Sequence, residues 1–124
     1  MAIYFNGKIV SPTLVIPHNI YDKVTQCATG NITLTETSTV YNLTPTSDTI
    51  INFDTTNLAN IDTEFVTFML VLDFTNGLQS ITWPTNVEWG NITPTMTANA
   101  KYMFSFTKPV GSDKWIGNQM YSWS

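Results

Sequence analysis

Residues 65–74, FVTFMLVLDF, constrain the fold more than any other stretch. Val66, Phe68, Leu70, Leu72 and Phe74 make every even position apolar, whereas the odd positions include Thr67 and Asp73. Successive side chains of a strand point to opposite faces, so a period of two predicts a long strand with one wholly buried side. An amphipathic helix needs apolar residues spaced three and four apart, and no segment longer than a turn has that spacing. A strand with one apolar face must find partners and a cover, which commits the chain to sheet. Composition agrees. Only 11 % of residues are charged, against about 25 % in an average globular domain. Thr, Asn and Ser take their place, and β-branched Thr suits a half-exposed pleated surface.

The rest of the body repeats the pattern. Ile32, Leu34 and Glu36 alternate with Thr33 and Thr35, and Val40–Leu43 and Ile50–Phe53 are short apolar runs. Asp54–Asp62 reads as a turn-rich bridge. Thr75-Asn76-Gly77 turns the chain, and Gln79–Trp83 is expected to return as the partner of the long strand. Val87–Trp89 follows a proline turn. Tyr102, Phe104 and Phe106 alternate with Lys101, Met103, Ser105 and Thr107. After a turn at Val110–Asp113, a last strand from Lys114 to Trp123 places Trp115, Tyr121 and Trp123 on one face and Ile116 and Met120 on the other. Short strands with turn signals every eight to twelve residues predict an all-β fold, an antiparallel β-sandwich or jelly-roll-like module.

The N-terminus reads differently. Ile3-Tyr4-Phe5 and Lys8-Ile9-Val10 flank Asn6-Gly7, and Asn-Gly between apolar runs is a strong hairpin signal. Pro12 and Pro17 bracket Leu14–Ile16, which suits an extended edge. Residues 18–30 show no period and read as a connection. The expected organisation is a hairpin or extended anchor segment over residues 1–19, a linker over 20–30 and a β-sandwich module over 31–124. The total of 124 residues is the size of one ordinary domain.

Charge and chemistry exclude several function classes. The net charge is −4, arginine is absent, and Lys8, Lys23, Lys101, Lys108 and Lys114 are dispersed. Nucleic acid and anionic membrane surfaces both require clustered cations, so neither is an expected partner. The start has no basic residue cluster or long apolar run of an export signal, and the longest apolar run is about half of a membrane helix. A soluble, non-exported protein is expected. Asn31, Asn42 and Asn91 match the glycosylation sequon by chance in so Asn- and Thr-rich a chain.

Cys27 stands alone, which rules out an intrachain disulfide and reads as a small inert thiol. His18, the single histidine, sits beside Pro17, and no Gly-x-Ser-x-Gly elbow is present. One Cys and one His serve zinc poorly. Asp48, Asp54, Asp62 and Asp73 lack the spacing of a calcium loop. Glu36, Glu64 and Glu88 are scattered among strands rather than paired across a cleft. No catalytic residue, metal or cofactor is expected, and the protein reads as non-enzymatic.

Aromatic residues remain: four Trp, five Tyr and seven Phe. They serve either as packing, where each buries a large area, or as exposed platforms. Phe68, Phe74, Tyr102, Phe104 and Phe106 fall on core faces. Trp83 shares a strand face with Ile81, and Trp89 shares one with Val87, with Glu88 opposite, so both tryptophans read as packing. Trp115, Tyr121 and Trp123 are the candidates for an interface or ligand surface.

Taken together, Ile81-Thr82-Trp83-Pro84, Val87-Glu88-Trp89, Gly90-Asn91, Pro94, Asn99 and Tyr102-Met103-Phe104-Ser105-Phe106 resemble the small β modules of tailed-bacteriophage virion proteins, of the head-fibre, tail-fibre and minor structural type. With the Thr-rich strands before them, the resemblance spans about residues 31–123. It implies a β-sandwich, often a homotrimer, located in the virion after synthesis in the host cytoplasm, with other capsid or tail proteins as partners. It brings no catalytic residues. The N-terminal segment, through Ile3, Tyr4, Phe5, Ile9 and Val10, is then a candidate anchor. A carbohydrate-binding role on a bacterial surface glycan is the alternative, using the C-terminal aromatics.

Overall fold

The alternation at residues 65–74 becomes β8 (Val66–Asp73), in which Phe68, Leu70 and Leu72 are buried and the residues between them are not. The description rests on a computed structural model and covers residues 23–124 together with two short strands, β1 (Tyr4–Phe5) and β2 (Lys8–Ile9). These two pair antiparallel, Tyr4 opposite Ile9 and Phe5 opposite Lys8, as the hairpin pattern predicts. The Asn6-Gly7 turn, Ile3, Val10, Leu14–Ile16 and His18 lie outside the described residues.

The body is built on a six-stranded sheet. β11 (Lys101–Lys108) runs antiparallel to β8 along its full length, from Lys101 opposite Asp73 to Lys108 opposite Val66. Register therefore puts Tyr102, Phe104 and Phe106 beside Leu72, Leu70 and Phe68 on one face. A slip of one residue would turn all six to the other side. β12 (Trp115–Trp123) pairs antiparallel with the other edge of β11. β5 (Val40–Leu43) lies parallel to β8, β3 (Val24–Cys27) parallel to β5, and β10 (Val87–Trp89) parallel to β12. The order across the sheet is β10-β12-β11-β8-β5-β3.

Two short parallel pairs complete the described structure: β4 (Asn31–Thr33) with β7 (Asn52–Asp54), and β6 (Thr49–Ile50) with β9 (Ile81–Thr82). Residues 49–54 serve both. The N–H groups of Thr49 and Ile51 donate to the carbonyls of Ser80 and Thr82 at 2.8 Å, and that of Asn52 donates to Gly30 at 2.9 Å. Backbone donors of an extended chain alternate in direction, so one segment bonds a neighbour on each side. Ile32, Leu34, Ile51 and Phe53 from these segments are buried in the same cluster as the sheet's apolar face. Phe53 meets Phe106, Phe68 and Trp115 with ring centroids 4.9, 5.0 and 5.4 Å apart. Leu70, Leu72, Phe74, Phe104 and Phe106 are sealed from solvent, and each such side chain contributes about 1.5–3 kcal/mol of transfer free energy.

Three expectations change. The all-β class is observed, but the sheet is mixed rather than antiparallel. Residues 79–83 do not return beside β8: after Phe74 the Asn76-Gly77 turn, with Gly77 at φ 102° and its N–H donating to the Phe74 carbonyl, sends the chain away. β11 takes that place, because its three aromatics on one face match Phe68, Leu70 and Leu72 over eight residues, and β9 instead pairs with β6. Finally, part of the expected linker is strand β3. Its Thr25 and Cys27 turn inward while Val24 and Gln26 are exposed, a polar edge pattern that hydrophobic periodicity alone does not reveal.

Candidate functional site

The residues of ITWPTNVEW close on one aromatic cluster. Pro84 accepts a hydrogen bond from the Val87 N–H at 3.2 Å, which tightens the turn between β9 and β10. That turn brings Trp83 against Trp89, edge to face with centroids 5.0 Å apart. Trp83 lies 5.1 Å from Phe104 and 5.6 Å from Phe106, and Trp89 lies 5.9 and 5.8 Å from the same rings. Both tryptophans are half-buried and pack on the core, as does Val87. Gly117 makes room for them. It pairs with Trp89 on β10 and with Phe106 on β11, and a methyl group there would lie 2.8 Å from ring carbons of both. Glu88 points away and pairs with Lys114 at 3.1 Å. At the other end of β11, the Tyr102 hydroxyl accepts from the Thr97 N–H at 2.7 Å and its ring meets Phe74 at 5.9 Å.

The C-terminal aromatics do not share a face. Trp115 is 3 % exposed and packed against Phe53 and Phe68, so it is core and not a ligand surface. Tyr121 and Trp123 are 62 % and 37 % exposed, with near-parallel rings 5.9 Å apart. The cause is a bulge in β12: Met103 pairs with Tyr121 but Phe104 with Gln119, so Met120 is skipped. One extra residue reverses the parity of everything after it. Tyr121 and Trp123 thereby join Met103 and Lys101 on the open face of the sheet.

The acidic residues hold turns. Asp54 accepts from the N–H and hydroxyl of Thr56 at 3.1 and 2.8 Å, bonds that with smaller help from Asn31 and Thr33 keep its carboxyl below the ordinary carboxylate range. Asp48 accepts from the Ser80 N–H at 2.9 Å and Asp73 from the Thr75 N–H at 3.0 Å. Burial pushes the Cys27 thiol above its usual value. Among the described residues no three of His, Cys, Asp and Glu stand close enough to hold a metal ion.

Among the described residues are two open grooves. One of about 490 Å³ lies between the β4–β5 connection and the start of β8, with Glu36, Ser38, Asn60, Glu64 and Phe65 in its wall. Ile61, also in its wall, has its carbonyl held by the ammonium of Lys108, a residue only 7 % exposed, which donates to it at 3.0 Å. The other, about 260 Å³, runs between Ala28–Gly30 and Thr44–Ile50. Both offer hydrogen-bonding groups. Sequence reading missed the first because Glu36 and Glu64 come from separate segments with no common spacing. Among the described residues no helix is long and apolar enough to cross a membrane. The chain matches no family model, no curated protein and no solved structure.

Proposed function

We propose that this chain is a non-enzymatic structural component of a bacteriophage virion, a homotrimeric head-fibre, decoration or tail-fibre module that docks through its N-terminal segment. One observation supports the reading above the others. Of the residues that carry the resemblance, Trp83, Val87, Trp89, Tyr102, Phe104 and Phe106 form one connected packing unit against one sheet face, and Pro84 shapes the turn that brings the two tryptophans together. Their pattern is thus that of an architecture, not of a ligand site. In this reading the two short parallel pairs form the second layer of a β-sandwich, supported by Phe53 lying against Phe68, Phe106 and Trp115. Ile3, Tyr4, Phe5, Ile9 and Val10 supply the anchor to a capsid or tail partner. Immunogold electron microscopy of intact particles, with antibody raised against residues 23–124, tests it. Labelled particles are expected at a head or tail position, and particles that never label while the protein accumulates free in lysed hosts would refute it.

Binding to a bacterial surface glycan is the second reading, favoured by the exposed Tyr121–Trp123 pair. Aromatic faces stack on sugar rings. Loss of glycan binding in Trp123→Ala, with the fold and assembly intact, would support it.

A further inference from the structure

The open face of the six-stranded sheet carries a continuous apolar band between polar residues that include Asn42, Ser105 and Asn118. Two rows of paired residues cross it. Tyr121, Met103 and Val71 lie side by side on β12, β11 and β8, and Met69, Val40 and Val24 continue across β8, β5 and β3. The rows join at Val71 and Met69, two residues apart on one strand, so a band runs from one side of the sheet to the other. None of these six side chains is fully buried, and Tyr121 is 62 % and Val24 46 % exposed. An antiparallel or mixed sheet with a solvated face normally carries polar residues there.

We propose that this face is where copies of the chain pack on one another, which rests on the self-assembling reading above and names its contact surface. Charge favours a second copy over a charged partner. The chain carries −4, yet the charged side chains of this face are paired: Asp73 with Lys101 at 3.9 Å, and Glu88 with Lys114 at 3.1 Å on the rim. The face is therefore neutral, so like packs on like without repulsion, and neither a cationic nor an anionic partner is selected. Area fits too. Three strands of eight or nine residues and three of three or four, about 4.8 Å apart and rising about 3.3 Å per residue, give the whole face an area on the order of 600 Å², enlarged by the relief of Tyr121 and Trp123. A stable interface takes about 800 Å² from each partner.

The test is the mass in solution of the full chain and of three variants by light scattering at micromolar concentration. Met103→Glu places an unpaired carboxylate at the centre of the band. Tyr121→Lys changes an exposed side chain that the monomer fold does not need. Ile50→Lys, at a residue 75 % exposed on β6 outside this sheet, is the control. Far-ultraviolet circular dichroism confirms that each variant is folded. The wild type and Ile50→Lys are expected to be multimers, with Met103→Glu and Tyr121→Lys dissociating at least tenfold more readily. A multimer that both face variants leave intact would overturn this assignment and leave self-assembly standing. A monomeric wild type, its face then covered by residues 1–22 or a different protein, would overturn both.

Discussion

Replacing Gly117 with alanine probes the packing of the tryptophan motif at its tightest point. The added methyl would sit 2.8 Å from ring carbons of Phe106 and Trp89, whereas carbon atoms in good contact lie about 3.5–4.0 Å apart. Neither ring is a flexible chain end: Phe106 is fully buried and Trp89 is held by Trp83 and Phe104. Overpacking of this kind costs about 1–3 kcal/mol. Alanine recovers about 0.5–1 kcal/mol of backbone entropy relative to glycine in a strand. The expected net loss is about 1–2 kcal/mol, which lowers the melting temperature by roughly 4–8 °C in a domain of this size. Urea unfolding followed by tryptophan fluorescence, with calorimetry as a second probe, reads both quantities. A double-mutant cycle sharpens the test. Trp89→Leu alone removes a half-buried indole at a cost of about 2–3 kcal/mol, but it also clears one side of the space over residue 117. The double variant should therefore be at least about 0.5 kcal/mol more stable than the sum of the singles implies. A Gly117→Ala protein as stable as the wild type, or strict additivity in the cycle, would refute the packing described for Trp89.

The two ends of β12 should respond unequally to truncation. Trp115→Ala is expected to cost about 3–5 kcal/mol as a buried indole, while Trp123→Ala in the dissociated chain loses mainly its stacking on Tyr121, about 0.5–1.5 kcal/mol; equal effects in thermal melts would contradict the bulge at Met120. Cys27 should alkylate more slowly than a free thiol at any given pH, with its rate profile displaced upward, because burial favours the neutral form; a profile matching a small-molecule thiol would contradict the inward placement of Cys27. The carboxyl of Asp54 is held below its ordinary value when folded, so its stabilising contribution is present above the unfolded value and fades as pH falls through the folded one. Asp54→Asn should flatten the acid side of the stability curve, and unchanged steepness in urea midpoints between neutral and acidic pH would show that the Thr56 contacts do not form.

Much of the large sheet was legible because its strands are long and strictly alternating. Val66–Phe74 and Tyr102–Phe106 state their buried faces by parity alone, and pairing them joins the two into one apolar face that Ile32, Leu34, Ile51 and Phe53 cover. Trp83 and Trp89 were read as packing from the same parity, and the rings lie where it places them. Partner choice was less visible. The Asn76-Gly77 turn looks like hairpin chemistry, but a turn fixes only its own residues, and β11 matches β8 over a greater length than residues 79–83 do. Parallel pairing of β3, β5 and β8 leaves no local signal, since those partners are joined by long connections. Parity also failed at the end of β12, where a single skipped residue, Met120, separates Trp115 from Tyr121 and Trp123. A bulge has no required residue type, so nothing at that position announces it. The open apolar face was present in the sequence as Met69, Val71 and Met103 at the odd positions, but those residues look unremarkable beside their buried neighbours until the register aligns them.

The mass of the wild-type chain in solution tests self-assembly most directly. Light scattering across a dilution series in the micromolar range should give three copies of the 13.9 kDa chain, about 42 kDa. A single species of 13.9 kDa at every concentration would contradict it.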